Sequence, residues 1–216
     1  MPDNRDFLSG SNHIGGFRFL VPTKAKLTVW EKRNDMKKNN YLLRMVTLAM
    51  FVALGVVISP ILRIEGMCPM AHLINITCAV FLGPAYAFVC ALLIGIIRML
   101  IMGIPPLALT GAIFGATLSG IFYKLSKGKI IAAVLGEIIG TGIIGSIVSY
   151  PVMTYLWGKE GLTWFFYTPS FICGTLIGGS IAFLLLLKLE QAGVLTKIQS
   201  SLRNTDPTDD KKDKVA

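Results

Sequence analysis

The stretch "MAHLINITCAVFLGPAYAFVCALLIGIIRMLIM", residues 70–102, decides how often this chain crosses a membrane. It is apolar almost throughout, and Gly83-Pro84 interrupts it near the middle. If it forms two helices, the first covers only about 20 Å of a roughly 30 Å hydrocarbon core, at about 1.5 Å per residue. Proline is tolerated in the first turn of a helix and disfavoured in its interior, so Pro84 favours two helices over one long span.

The positions of the basic residues favour the same choice. Nine of the 21 Lys and Arg lie at or before Arg44, six lie from Lys188 onward, and three lie in the loop Lys124–Lys129, which makes 18 of 21. Six spans with an inside N-terminus place all 18 in the cytoplasm, whereas five spans would turn the lysine loop outward, against the positive-inside bias. The predicted spans are 42–60, 70–82, 84–102, 107–124, 130–156 and 164–187. The sequence thus predicts an all-α polytopic membrane protein with six transmembrane helices and cytoplasmic N- and C-termini.

The composition of the 216 residues agrees with a multi-pass protein of the cell membrane. The chain is 53% hydrophobic and 15% charged, with a mean hydropathy of +0.64, whereas soluble domains carry about 25% charged residues. The net charge of +9 lies in segments flanking apolar runs, so it indicates membrane topology and argues against nucleic-acid binding. The four cysteines form no C-x-x-C pair, which excludes a typical zinc site or disulfide framework and predicts packing residues.

Three segments follow from this pattern. Residues 1–41 form a polar, basic cytoplasmic tail without the apolar run of a signal peptide. Because "MKKNNYLLRMVTLAMF" begins like a membrane protein at Met36, residues 1–35 are interpreted as an extension. Residues 42–187 form the six-helix domain and 188–216 a charged cytoplasmic tail. The first outer loop, 61–69, is the predicted lid.

Four polar side chains in the spans are the candidate site. Ionisable residues within a membrane usually face a cavity or a partner, which makes Arg98 and Glu137 functional candidates. The alternatives are snorkelling of Arg98 to the outer interface and a structural role for Glu137, which is predicted to lie nearer the inner side. His72 and Asn75 share a helix face near the depth of Arg98, so these three are predicted to form a small polar pocket at the outer mouth.

Small residues in two spans predict close helix contacts. In "GEIIGTGIIGS", Gly136 and Gly140 stand four apart, a spacing that lets helix backbones approach closely. In span one, Ala49 and Ala53 have the same spacing. No G-x-x-x-x-G-K-[ST] motif occurs in the sequence, so the protein is predicted to lack an ATP site of its own. The sequence shows no nucleophile–base pairing or metal motif, and we expect no enzyme activity, no cofactor and no metal.

The chain resembles the ThiW family of S components, the substrate-binding subunits of energy-coupling-factor (ECF) transporters. The resemblance rests on "HLINITCAVFLGP", "IIRML" and "GEIIGTGIIG", together with the Ala49-xxx-Ala53 face, and covers about residues 42–187. It implies an ECF S-component-like bundle that captures the thiazole precursor of thiamine from outside. It also implies partners: a transmembrane coupling subunit, which docks on Ala49 and Ala53, and two ABC ATPase subunits.

The resemblance also gives the site a ligand. Hydroxyethylthiazole is small and neutral and has a ring nitrogen and one hydroxyl, so His72, Asn75 and Arg98 are expected to donate hydrogen bonds to it, with Glu137 as a further contact. Tyr150 or Trp164 would stack on its ring. Two alternatives remain: an S component for another vitamin such as thiamine or its pyrimidine precursor, and a stand-alone secondary transporter in which Glu137 and Arg98 form an ion relay.

Overall fold

The computed structural model describes residues 24–61 and 67–203, with side chains from residue 41. The helices are α1 (Lys24–Ile58), α2 (Pro69–Leu82), α3 (Pro84–Met102), α4 (Leu107–Leu125), α5 (Ile130–Glu137), α6 (Ser146–Pro151), α7 (Thr168–Gln191) and α8 (Val194–Arg203). Two π-helical segments, Ile138–Gly145 and Val152–Leu156, join α5 and α6 into one continuous helix, Ile130–Leu156, here called span five.

Five of these helices are long and apolar enough to cross a membrane, and α2 is a shorter apolar helix of 14 residues. The five spans are Tyr41–Ile58, Pro84–Met102, Leu107–Leu125, Ile130–Leu156 and Thr168–Gln191. The chain is therefore an all-α polytopic membrane protein. The predicted segment bounds agree closely with the helices, except that the last span, predicted at 164–187, runs from Thr168 to Gln191. Pro169 lies in its first turn, a position that proline favours.

The break at Gly83-Pro84 is confirmed. α2 ends at Leu82 and α3 begins at Pro84, while Gly83 between them has a φ of +87°. Only a glycine takes that backbone conformation without steric cost.

The short helix α2 lies in the middle of the bundle. Ten of its 14 residues are buried. Its apolar side chains belong to two core clusters, one with α1, α3 and α4 and one with span five, α7 and α8. Protein therefore surrounds α2, and a helix in that position does not need to match the thickness of the lipid core.

α8 packs where α2 ends. The last carbonyls of a helix have no hydrogen-bond donor within the helix. One of these in α2 is the carbonyl of Val80, and Gln199 of α8 donates to it at 2.9 Å. Arg44 Nε donates to the carbonyl of Leu202 at 2.7 Å. The buried side chains of Leu195 and Leu202 face the bundle. α8 thus closes the end of the bundle where the Lys124–Lys129 turn also lies.

The close approach predicted from Gly136 and Gly140 is found between span five and α4. A Cβ on Gly136 would lie 2.6 Å from the carbonyl oxygen of Leu118, and a Cβ on Gly140 would lie 2.5 Å from that of Phe114. Backbone atoms cannot give way as a flexible side chain can, so these two positions require glycine. This contact fixes the height and rotation of span five against α4.

Some predictions concern residues outside those described. Residues 62–66 of the predicted lid, residues 1–23 of the N-terminal tail and residues 204–216 of the C-terminal tail belong to this group. The predicted boundary at 41/42 falls within α1. The division into three segments stays a prediction.

Candidate ligand-binding site

A cavity of about 70 Å³ lies at the end of the bundle where α2, α4 and α7 begin and α3 ends. That volume is several times the roughly 10–15 Å³ that one water molecule needs on the same measure, so the cavity has room for a small molecule. It is lined by Met67, Cys68, Ala71, His72, Arg98, Ile104, Pro105, Leu107, Ala108, Gly111, Ala112, Thr141 and Phe171. The walls are mostly apolar, with a few polar groups, which is the usual composition of a small-molecule site.

Arg98 brings a positive charge to this cavity. Its side chain is 3% exposed, and Nη2 donates to Cys68 Sγ at 3.5 Å. Nε has no hydrogen-bond partner, and no carboxylate among the described residues pairs with the guanidinium. The snorkelling expected as the alternative would leave the charged head accessible, whereas here it is buried. A buried guanidinium with unused donors is costly unless another group accepts from it.

Glu137 lies behind the cavity wall and gathers three donors on one oxygen. Oε1 accepts from His72 Nδ1 at 2.9 Å and from Asn75 Nδ2 at 3.0 Å. The Thr141 hydroxyl lies 3.1 Å from the same oxygen and 3.0 Å from the carbonyl of Gly111, and its single proton serves one of them at a time. Oε2 is buried and has no hydrogen-bond partner among the described residues. Glu137 is fully buried and is not among the residues that line the cavity.

The contacts of Glu137 go beyond what the sequence predicts. The sequence places Glu137 nearer the inner side, with no assured contact to Arg98, and the structure shows that it contacts both His72 and Asn75. The reason is that α2 and span five lie against each other in the bundle, so the two helices bring these residues to one level. No ion pair joins Glu137 to Arg98 in the part of the chain described.

A missing side chain on α4 makes room for the carboxylate. A Cβ on Gly115 would lie 2.7 Å from Glu137 Oε1 and would also overlap the Thr141 hydroxyl. Gly115 therefore allows an acid and a hydroxyl to occupy the interface between α4 and span five. The π-helical segment begins immediately after Glu137 and contains Thr141, and π-helical turns in spans are frequent at functional sites.

Two glycines of α7 hold His72 from the other side. A Cβ on Gly178 would lie 2.9 Å from His72 Cβ, and a Cβ on Gly174 would lie 3.3 Å from His72 Nε2. The imidazole is thus fixed between Glu137 and the α7 backbone. Among the described residues Nε2 has no hydrogen-bond partner, and His72 is one of the residues that line the cavity.

The other predicted ligand contacts lie elsewhere. Asn75 lines a smaller neighbouring cavity with Arg98. Tyr150 and Trp164 pack against each other with ring centroids 4.5 Å apart and ring planes tilted by 39°, and neither lines the main cavity. Their contact with a ligand stays a prediction.

The wall residues Phe171 and Thr141 were not among the predicted contacts. The only phenyl ring among the described wall residues is that of Phe171, from the first turn of α7. Thr141 could have been found from its position four residues after Glu137, the spacing of neighbours on one helix face. The sequence has no comparable pattern that distinguishes Phe171 from the chain's other phenylalanines.

A second concave surface lies on the outside of the bundle between α1 and α3. This groove, here called the alanine groove, has a volume of about 560 Å³. It is lined only by apolar side chains: Met45, Leu48, Ala49, Val52, Ala53, Val56, Val57, Leu93 and Ile97. Ala49 and Ala53 are both exposed, and their small side chains leave the surface open.

Comparison with known proteins supplies a family and no closer relative. No curated protein and no solved structure matches the chain. The family described as thiamine-precursor transporter protein (ThiW) matches residues 45–192, a range that contains α2 to α7 and the described residues that line the cavity and the alanine groove. The chain therefore belongs to the ThiW family of thiamine-precursor transporters.

Proposed function

We propose that this protein is the substrate-binding S component of an ECF-type importer and that it captures the thiazole precursor of thiamine, hydroxyethylthiazole, from outside the cell. The observation that carries the proposal is the small cavity with apolar walls, one buried guanidinium and one free imidazole nitrogen. A thiazole ring fits apolar walls, its nitrogen accepts from Arg98, and its hydroxyl reaches the imidazole.

The charges around the cavity favour a neutral ligand over thiamine. Arg98 places a positive charge on the wall, and no described acidic residue lines the cavity. Glu137 already accepts from His72 and Asn75 and lies behind the wall. A cationic ligand would thus meet a like charge without a facing carboxylate, which is unfavourable in a low-dielectric site.

The alanine groove supports the proposed partner. An apolar groove whose floor includes Ala49 and Ala53 admits a helix at short interaxial distance. The coupling subunit of the ECF complex is the proposed occupant, and two ABC ATPase subunits would supply the energy through it. The membrane orientation proposed for this assembly puts the cavity at the outer face and Lys124, Lys127 and Lys129 in the cytoplasm, following the positive-inside bias.

Calorimetry on the purified protein tests the ligand. Hydroxyethylthiazole should bind more tightly than thiamine or the pyrimidine precursor in direct competition. Arg98→Ala should weaken binding by roughly 5- to 150-fold, because the ring nitrogen loses its donor. Arg98→Lys should restore it only in part, because an ammonium lacks the planar fork. Preference for thiamine, or unchanged binding in Arg98→Ala, would contradict the proposal.

A transport measurement tests the mechanism. In vesicles that contain the S component alone, labelled hydroxyethylthiazole should bind without accumulating. Addition of the coupling subunit and ATPases should give ATP-dependent accumulation. Uptake by the S component alone, driven by an ion gradient, would instead support a secondary transporter.

A further inference from the structure

We infer that Glu137 sets the tautomer of His72, so that the imidazole accepts a hydrogen bond from the ligand rather than donating one. The inference rests on the proposed function for the identity of the ligand, while the state of the imidazole is a property of the protein alone. It assigns Glu137 as a positioning residue that acts through His72, without touching the ligand.

As a carboxylate, Glu137 can only accept hydrogen bonds through Oε1. It is within hydrogen-bond distance of His72 Nδ1, Asn75 Nδ2 and the Thr141 hydroxyl. Asn75 Nδ2 also points to the carbonyl of Ala112 at 3.5 Å, so both of its neighbours are acceptors and the amide orientation is fixed.

The second step concerns the histidine ring. Because Oε1 accepts, Nδ1 of His72 must carry a proton and donate it. A neutral imidazole has one N–H, so Nε2 then has a lone pair and no proton.

The consequence is a cavity with one fixed donor and one fixed acceptor. Arg98 can only donate, and His72 Nε2 can only accept. The complementary ligand has one acceptor and one donor on an otherwise apolar body. In hydroxyethylthiazole the ring nitrogen is the acceptor and the hydroxyl the donor, so the alcohol proton points to His72. This reverses the role that the sequence predicted for His72.

The state of the ring can be measured without any ligand. The chain has two histidines, and His13 lies outside the described residues. In a His13→Gln protein purified with a histidine-free tag, ¹⁵N NMR of the single imidazole should show a protonated Nδ1 and an unprotonated Nε2. A protonated Nε2, as either the other tautomer or the imidazolium, would overturn the inference.

Two variants of Glu137 test whether its side chain sets the tautomer of His72 or only fills space in the helix packing. Glu137→Gln keeps an oxygen toward the three donors and should keep the wild-type tautomer. Glu137→Met has a similar length without an acceptor, so Nδ1 should lose its proton in favour of Nε2. If Glu137 were merely structural, both variants would leave the tautomer as in the wild type.

The matched ligands are hydroxyethylthiazole and its O-methyl ether, which accepts but cannot donate. The wild type and Glu137→Gln should bind the ether about 5- to 150-fold more weakly than the alcohol, because Nε2 is left unpaired. In Glu137→Met the ratio should fall towards one, since Nε2–H can donate to either oxygen. A ratio that persists in Glu137→Met would reflect the bulk of the methyl group and would contradict the inference.

The outcomes distinguish this inference from the proposed function. If the wild type binds no hydroxyethylthiazole, the proposed ligand is wrong, and the NMR result still decides the tautomer. If the ether binds as tightly as the alcohol, the proposed ligand is supported, but the inference that His72 accepts a hydrogen bond from it is wrong. Should Glu137→Met fail to fold, the fluoroethyl analogue replaces it: fluorine matches the hydroxyl in size and has no proton, and the wild type should bind it more weakly than the alcohol.

Discussion

At the scale of single residues, the site depends on the space that a glycine leaves open and on polar atoms that have no hydrogen-bond partner among the described residues. Gly115 contributes no side chain, and that absence lets Glu137 and Thr141 reach the interface between α4 and span five. Among the described residues, Arg98 Nε and His72 Nε2 have no hydrogen-bond partner. A ligand that pairs both groups removes desolvation costs that the empty protein carries, which is a direct source of affinity.

The prediction at this scale is Gly115→Ala. The added methyl would displace the Glu137 carboxylate, whose Oε1 lies 2.7 Å from the Cβ position. His72 would lose its aligned partner, so binding of hydroxyethylthiazole should weaken by about 10-fold, the effect of losing one hydrogen bond. Thr117→Ala on the same helix is the control, since the Thr117 hydroxyl bonds only Ile113 of its own helix. Calorimetry showing equal affinities for both variants would contradict this account of the site.

At the scale of elements, span five is the helix that organises the bundle. In the apolar stretch of span five that can cross the membrane, 56% of the residues are buried inside the protein, whereas in the corresponding stretch of α1, Tyr41–Ile58, 17% are buried. Its glycines lie against the backbone of α4, while its Glu137 reaches α2. Packing and ligand site are therefore built on the same helix, and a shift of span five should disturb both.

The prediction at this scale compares two identical substitutions in span five. Gly140→Ala places a methyl 2.5 Å from the carbonyl oxygen of Phe114, which is backbone and cannot move aside. Gly142→Ala places one 3.1 Å from a side-chain carbon of Ile172, which can give way. Gly140→Ala should lower the free energy of unfolding by about 1–3 kcal/mol, the usual cost of overpacking. Thermal unfolding in detergent should show a clearly smaller loss for Gly142→Ala, and equal losses would refute the backbone contact.

The molecule has two separate concave surfaces, a cavity at one end and the alanine groove on the side. Among the residues that the structure describes, none lines both. Ligand capture and partner docking should therefore be separable by mutation. This separation is what a transport subunit needs if it binds its cargo first and is coupled to an energy source afterwards.

The prediction at this scale is the double variant Ala49→Trp with Ala53→Trp. The two indoles should fill the alanine groove and prevent close approach of a partner helix, so ATP-dependent uptake should be lost while ligand binding stays at the wild-type level. The control is Ile177→Trp with Leu184→Trp on α7, where both native side chains are exposed and outside the groove. It should transport normally. Normal uptake by the alanine variant would remove the main support for docking at this groove.

The sequence by itself determined the class of the protein, its helices and its family resemblance. Continuous apolar runs fix the spans, Gly83-Pro84 fixes the break, and the rare polar residues His72, Asn75, Arg98 and Glu137 mark where a site must be sought. These features are local, since run length, proline and charge act on the helix that contains them.

Only the tertiary structure decided which of these residues meet. It joined Glu137 to His72 and Asn75, separated it from Arg98, and brought Phe171 rather than Tyr150 or Trp164 to the cavity wall. The physical reason is that lipid and protein interior are both apolar, so the pattern of apolar residues does not tell which face of a span points inward. That rotation depends on close packing between helices, such as Gly140 against Phe114, and packing partners are distant in sequence.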